Sequence, residues 1–226
     1  MRGAWRALRR FWESDPGLSV FLGVLVLVLF VLPSLVEPVR NGRSLVLDAG
    51  FTALLLAGVA AVSTRTAVRA ALFAVVIGAT AVRWGPFSAQ ATAAAGLVCV
   101  TAMTLVVLAQ AFRAGPVNVH RIQGAVAAYL LLGLVWALAY ELVALLNSGA
   151  FSFADPVEGE RRHFIYFSFV TLTTVGYGDV APVHPVARSL AVAEALTGQL
   201  YPAILLARLV SLATSTGSSG PDRQAG

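Results

Sequence analysis

The stretch TTVGYGD at residues 173–179 is the most informative part of this chain, because glycine recurs at alternate positions around a tyrosine. In an extended segment of L-residues successive carbonyls point to opposite sides, and turning them to one side requires positive φ at alternate residues. Gly176 and Gly178 occupy alternate positions, and glycine adopts positive φ at low cost. We therefore predict that the carbonyls of this stretch point to one side, and the side chains of Val175 and Tyr177 to the other.

This stretch matches, residue for residue, the signature filter of the potassium channels, and the chain resembles that family over about residues 122–212. In such filters backbone carbonyls replace the water shell of K+. The resemblance implies four copies, a homotetramer, around one pore, with K+ at the filter carbonyls as the bound metal and no other cofactor. The ion-binding residues that it implies are Thr174, Val175, Gly176, Tyr177 and Gly178, with Asp179 at the outer mouth.

Hydrophobic residues make up 58% of the chain and charged residues 12%, which is unlike a soluble globular domain. The apolar residues form long runs, and the first of them is about 28 Å long as a helix, close to the thickness of the bilayer hydrocarbon. We predict an all-α membrane protein with six membrane-spanning helices at about 18–36, 45–62, 67–82, 87–111, 122–146 and 187–212. The third crosses fully only if Arg69 and Arg83 at its ends reach the interfaces.

Residues 149–185, between the fifth and sixth runs, hold an apolar patch, His163–Leu172, that is too short to cross a bilayer. We predict a re-entrant pore helix at about 162–173, followed directly by the filter stretch. Its C-terminal end would then face the pore centre and present partial negative charge to a cation. Two glycines around a tyrosine also occur in ordinary turns, so this context is what favours a filter.

The predicted organisation has four parts: a cytoplasmic basic N-terminal segment (1–17), a four-helix transmembrane domain (18–112), a pore domain (117–212) and a flexible cytoplasmic tail (213–226). The N-terminal segment fits either a short helix on an anionic leaflet or a disordered tail. All sixteen basic residues are arginine. An inside N-terminus places more of them on the cytoplasmic side, which predicts that both termini are cytoplasmic. The arginine-only, alanine-rich composition indicates a bacterial inner membrane.

Four residues are candidates for supporting the filter. Tyr166 and Phe167 occupy positions where related channels often carry a pair of tryptophans, and Tyr166 is placed to bond Asp179. Thr173 belongs to the threonine-rich end of the pore helix. Glu141, at the top of the fifth span, is placed to cap backbone amides beside the filter, although an outer helix end could also leave it hydrated.

Four residues of the sixth span are candidates for the gate or the cavity. Gly198 aligns with the glycine hinge of many potassium channels, and Pro202 cannot bond the Gly198 carbonyl, so we expect a kink. Packing is the alternative role for both residues. Gln199 is expected to face a water-filled cavity. Glu194 should lie behind the pore helix, either as part of the scaffold or as a gating sensor.

The predicted function is a K+-selective channel subunit. Residues 87–112 contain no arginine, so strong voltage gating is not expected. A non-selective cation channel and a non-conducting accessory subunit are the alternatives. The arginines are not clustered with aromatics as in nucleic-acid-binding proteins, and the three histidines lie in loops or at helix ends. We therefore expect neither a nucleic-acid partner nor an enzyme.

Overall fold

The computed structural model describes residues 16–35, 45–62, 66–112, 119–154 and 160–217, and most of these residues are helical. The helices are α1 (Pro16–Val26), α2 (Leu32–Leu35), α3 (Leu45–Val62), α4 (Thr66–Trp84), α5 (Ala89–Ala111), α6 (Val119–Leu146), α7 (Glu160–Leu172) and α8 (Pro185–Gly217). Two short strands, β1 (Phe151–Phe153) and β2 (Val180–Pro182), flank α7 and the filter stretch. Almost all of the predicted N-terminal segment lies outside the described residues.

Five apolar stretches of the described chain are long enough to cross a membrane: Leu18–Leu35, Thr66–Trp84, Ala89–Ala111, Arg121–Leu146 and Pro185–Arg208. The third predicted span is among them. The second forms α3, but its described apolar stretch, Leu45–Ala61, is shorter. The last helix continues to Gly217, past the predicted start of the tail at 213, because no glycine or proline follows Pro202 before that point.

A π-helical turn at Leu27–Val31 joins α1 to α2 within the first span. The N–H of Leu32 bonds the carbonyl of Leu27, five residues earlier. Pro33 follows directly, has no N–H for the carbonyl of Leu29, and crowds that position with its ring. The widened turn therefore lies where proline prevents regular α-helical bonding.

One apolar core joins the first helices to the pore domain. Its fully buried members come from α1, α3, α5 and α6: Phe21, Leu25, Leu54, Val100, Met103 and Leu131. Helices α5 and α6 pack along each other. Because α6 is also the outer wall of the pore loop, this core fixes where the four-helix domain sits relative to the filter.

Asp48 and Arg83 form a buried ion pair between α3 and α4. The guanidinium of Arg83 also lies over the ring of Phe51, 4.6 Å from its centroid. Asp48 lies in the first turn of α3, near a helix end, and is nevertheless buried. A carboxylate buried in apolar surroundings needs a partner, and the fold supplies one from the next helix.

We expect Arg83→Met to lower the free energy of unfolding by about 3–5 kcal/mol, because it removes the guanidinium beside a buried carboxylate. Chemical unfolding in detergent micelles measures this loss. Arg69→Met, at an exposed arginine of the same helix, is the matched control and should change stability by about 0.5 kcal/mol or less. The double variant Asp48→Leu/Arg83→Met should recover most of the loss; equal losses for both arginine variants would contradict the pairing.

Candidate functional site

The re-entrant loop is closed on itself by a two-stranded antiparallel pair. Strand β1 precedes α7 and strand β2 follows the filter stretch, with Phe151 opposite Pro182 and Phe153 opposite Val180. The N–H of Ala154 bonds the carbonyl of Asp179 at 2.8 Å. The pair ties the two ends of the loop together, so the filter stretch is held at both ends, by α7 and by the strands. The sequence analysis did not predict these strands.

The filter stretch has an alternating backbone. Positive φ occurs at Thr174 (59°), Gly176 (56°) and Gly178 (82°), which are every second residue. Both glycines therefore have the conformation that we predicted for them. Thr174 was not predicted to share it, because a β-branched residue rarely adopts positive φ. Thr174 lies two residues before Gly176, in phase with the two glycines, and this spacing could have predicted its conformation.

The amides at the start of the filter are bonded to the end of the pore helix. The N–H groups of Val175 and Gly176 both reach the carbonyl of Val170, at 2.9 and 3.3 Å, and the N–H of Thr174 reaches that of Thr171. Among the described residues no hydrogen bond reaches the carbonyls of residues 174–178. These exposed oxygens are consequently available as ligands, and backbone carbonyls are the oxygen ligands that a dehydrated cation requires.

The inner helix α8 lies directly against the end of the pore helix. A Cβ on Gly198 would stand 1.8 Å from the carbonyl oxygen of Leu172. The amide of Gln199 donates to the hydroxyl of Thr174 at 3.1 Å, below the filter. Gly198 is therefore required for close packing at this point, and Gln199 contacts the first residue of the predicted filter.

Helix α8 continues through Pro202, whose neighbour Tyr201 attaches it to α6. The hydroxyl of Tyr201 donates to the carbonyl of Ala125 at 2.7 Å, and its ring packs against Tyr129. Pro202 itself is exposed in the single chain. The helix is thus anchored to α6 one residue before the position where it lacks a backbone hydrogen bond.

The two aromatic residues of the pore helix face different partners. Tyr166 stacks on Tyr177, with ring centroids 6.4 Å apart, and its phenol donates to Asp179. Phe167 is buried and packs edge-on against Tyr140 at 4.9 Å. Desolvation raises the pKa of the Tyr166 phenol, and the hydrogen bond and charge of Asp179 raise it further. The phenol therefore stays protonated at neutral pH and can keep its bond to Asp179.

The remaining threonine and carboxylate candidates have different surroundings. The hydroxyl of Thr173 donates to the carbonyl of Phe169 at 2.6 Å, within the last turn of the pore helix. Glu141 is buried and lines an apolar cavity together with Arg83 and Ile165. The sequence analysis placed Glu141 beside the filter amides; its observed place is this cavity between the four-helix domain and the pore helix.

Glu194 has no measurable exposure and lies between three helices. Its carboxyl contacts the hydroxyl of Tyr140 on α6 and that of Ser168 on α7, each at 2.5 Å. The Ser168 hydroxyl is also 2.7 Å from the carbonyl of Gly133. The sequence analysis predicted Glu194 behind the pore helix, but it named no partner, and Tyr140 is fifty-four positions away.

In the described part of the chain no group of three or more histidine, cysteine, aspartate or glutamate side chains could hold a metal ion. The single cysteine, Cys99, is buried in the apolar core. The exposed oxygen atoms between α7 and β2 include the carbonyls of residues 174–178 and the Thr174 hydroxyl.

Comparison with known proteins agrees with a pore in this region. Residues 128–215 match a family model described as ion channel. Protein LctB of Bacillus caldotenax is 35% identical over 88 residues, 36% of this chain and 64% of that protein. Protein LctB of Geobacillus stearothermophilus is 50% identical over 46 residues, 20% of this chain and 34% of that protein.

The chain thus spans less than two thirds of the length of each of these relatives, and their names state no activity. No solved structure matches the chain. The family match, the apolar helices of spanning length and the loop between α6 and α8 together support an integral membrane protein with an ion-channel domain at residues 128–215.

Proposed function

We propose that this chain is one subunit of a homotetrameric, K+-selective channel, whose filter is formed by residues 174–178 with Asp179 at the outer mouth. The observation that carries the proposal is the alternation of positive φ at Thr174, Gly176 and Gly178. It lets successive carbonyls face one axis, and dehydrated K+ requires oxygen ligands arranged in this way.

A single chain supplies only part of such a coordination shell. The positions where a Cβ would stand on Gly176 and Gly178 are open, with nothing within 4 Å. Residues Val192, Leu196 and Leu200 of α8 form an exposed apolar row at four-residue spacing. Symmetry-related copies would complete the ring of carbonyls and pack against this row, which supports the tetramer.

The other parts of the chain fit a channel that is not strongly voltage-gated. Helix α5, the fourth in the predicted transmembrane domain, contains no arginine. Charges that cross little of the membrane field contribute little gating energy. We propose cytoplasmic termini and a bacterial inner membrane on the distribution of arginines and the composition given above.

The test is the reversal potential of purified protein in planar bilayers under a KCl gradient, repeated with Na+ on one side. We expect reversal near the K+ equilibrium potential. Gly178→Ala should abolish the selective current, because alanine at φ 82° is strained by about 1–2 kcal/mol in every copy.

The other outcomes separate the alternatives. Wild-type currents that reverse near zero would indicate a non-selective cation channel. A folded, tetrameric protein without current would indicate a non-conducting accessory subunit. Either result would contradict the proposed function.

A further inference from the structure

Glu194 is the most deeply buried carboxyl group among the described residues of the pore domain, and the proposed conduction path does not use it. It connects the outer helix α6, the pore helix α7 and the inner helix α8 through Tyr140, Ser168 and the carbonyl of Gly133. A polar group in this position joins the three helices of the pore domain by hydrogen bonds. The number of hydrogen atoms available in the cluster determines which of these hydrogen bonds can form at the same time.

Three oxygen–oxygen contacts in this cluster each need one hydrogen: Tyr140 to Glu194, Ser168 to Glu194, and Ser168 to Gly133. The two hydroxyl groups supply two hydrogens, and the carbonyl of Gly133 supplies none. The third hydrogen can come only from the carboxyl group. The observed arrangement is therefore complete when Glu194 is a neutral acid that donates to Ser168, while Ser168 donates to Gly133.

Loss of that proton changes the connections. A carboxylate only accepts hydrogen bonds, so the Ser168 hydroxyl must turn its hydrogen toward Glu194. The bond from Ser168 to Gly133, which joins the pore helix to α6, is then lost. Both protonation states satisfy the carboxyl group, and in both it bonds α6 and α7 to α8, but only the neutral state also keeps the direct bond from α7 to α6.

Few other ionisable or polar side chains lie near Glu194. Helix α6 contributes the phenols of Tyr140 and Tyr129, and α7 contributes the Ser168 hydroxyl. In the described residues of one chain no charged side chain acts on Glu194, from α6, from α7 or from α8 itself. Protonation of Glu194 is therefore the charge change available to this cluster.

The cluster is connected to the start of the filter stretch along two helices, α7 and α8. Ser168 lies one helical turn before Leu172, the last residue of the pore helix. Leu172 in turn contacts Gly198, one turn beyond Glu194 on α8. A change in how Ser168 is held is thus transmitted to the residue from which the filter stretch begins.

We propose that Glu194 is a proton-binding site that regulates conduction: the neutral acid preserves the direct bond from Ser168 on α7 to Gly133 on α6 and favours the conducting filter, and its deprotonation breaks that bond. This inference rests on the proposed channel function for its effect on flux. The protonation of Glu194 itself can be measured without any flux.

The test measures K+ flux into proteoliposomes from mildly acidic to mildly alkaline pH. We expect wild-type flux to fall as pH rises, by up to about tenfold per pH unit for each proton that controls opening. Glu194→Gln should conduct at every pH, because its amide donates to Ser168 and accepts from Tyr140 as the neutral acid does. Ser189→Ala, at an exposed hydroxyl of α8 that bonds the Pro185 carbonyl outside the cluster, is the control and should keep the wild-type pH dependence.

Infrared difference spectra of the same proteoliposomes provide the second measurement. The band of a protonated carboxyl should disappear on alkalinisation in the wild type and be absent in Glu194→Gln. If the glutamine variant does not fold, Ser168→Ala replaces it; flux should then lose its pH dependence while the infrared band remains.

Flux that does not change with pH, flux that rises with pH, or a pH dependence that persists in Glu194→Gln would overturn the inference. So would a wild type without a titrating carboxyl band. A titrating band in a protein that carries no K+ flux would uphold the proton site and reject the proposed channel function, so the two failures are distinguishable.

Discussion

Gly198→Ala is expected to prevent formation of a conducting channel. The added methyl group would stand 1.8 Å from the carbonyl oxygen of Leu172, 2.7 Å from its carbonyl carbon and 3.1 Å from its Cα. These atoms are backbone at the end of the pore helix, so no side-chain rotation relieves the overlap. Helix α8 must move away, and we expect a loss of about 3 kcal/mol or more in the free energy of unfolding.

The measurements are tetramer content by size-exclusion chromatography in detergent and K+ flux in proteoliposomes. Gly78→Ala is the matched control, since it is also a glycine within a spanning helix but has nothing within 4 Å of the added carbon. Alanine there should stabilise the chain by about 0.4–1 kcal/mol and leave flux unchanged. Normal assembly and flux in Gly198→Ala would show that α8 does not pack against Leu172 as described.

Gly176→Ala is expected to remove K+ conduction while the fold is kept. Its φ of 56° costs an L-residue about 1–2 kcal/mol, although nothing within 4 Å obstructs the side chain. Four copies in a ring sum to about 4–8 kcal/mol, which lowers the population of the conducting filter by about a thousandfold or more. Single-channel recording measures the loss, and circular dichroism checks that the fold remains.

Gly149→Ala separates filter geometry from general backbone strain. Gly149 also has positive φ, 79°, and open space around it, but it precedes strand β1 rather than forming part of the filter. The substitution should cost similar stability in each copy and leave K+ selectivity intact. D-alanine at position 176, introduced by semisynthesis, adopts positive φ readily and should restore conduction. Equal loss of current in both L-alanine variants would argue that strain, and not carbonyl direction, explains the effect.

The positions of the helices and the conformation of the filter glycines could be predicted from the sequence, because both depend on local properties. A run of about twenty apolar residues defines a helix of spanning length wherever it occurs, and α4, α5, α6 and α8 agree with the predicted runs. Positive φ at Gly176 and Gly178 follows from the absence of a Cβ. The pore helix was also predicted at nearly its observed bounds, because its apolar patch is too short to cross.

Other features could not be predicted from local sequence. Strands β1 and β2 are three residues each, too short for a periodic pattern to identify them, and they form because the loop between them brings their edges together. The positive φ of Thr174 opposes the preference of a β-branched residue and is fixed by amide bonds to the pore helix on either side of it. The pairing of Asp48 with Arg83 could not be predicted either, since the two residues are thirty-five positions apart.

The amino-acid sequence by itself thus determined the apolar helices of spanning length and the positive φ of Gly176 and Gly178, because hydropathy and glycine conformation act over a few neighbouring residues. The tertiary structure alone decided what surrounds that stretch. It placed Leu172 against Gly198, and it brought Tyr140, Ser168 and Glu194 into one hydrogen-bonded cluster. Buried polar groups must find partners, and which partners are within reach depends on how distant helices pack.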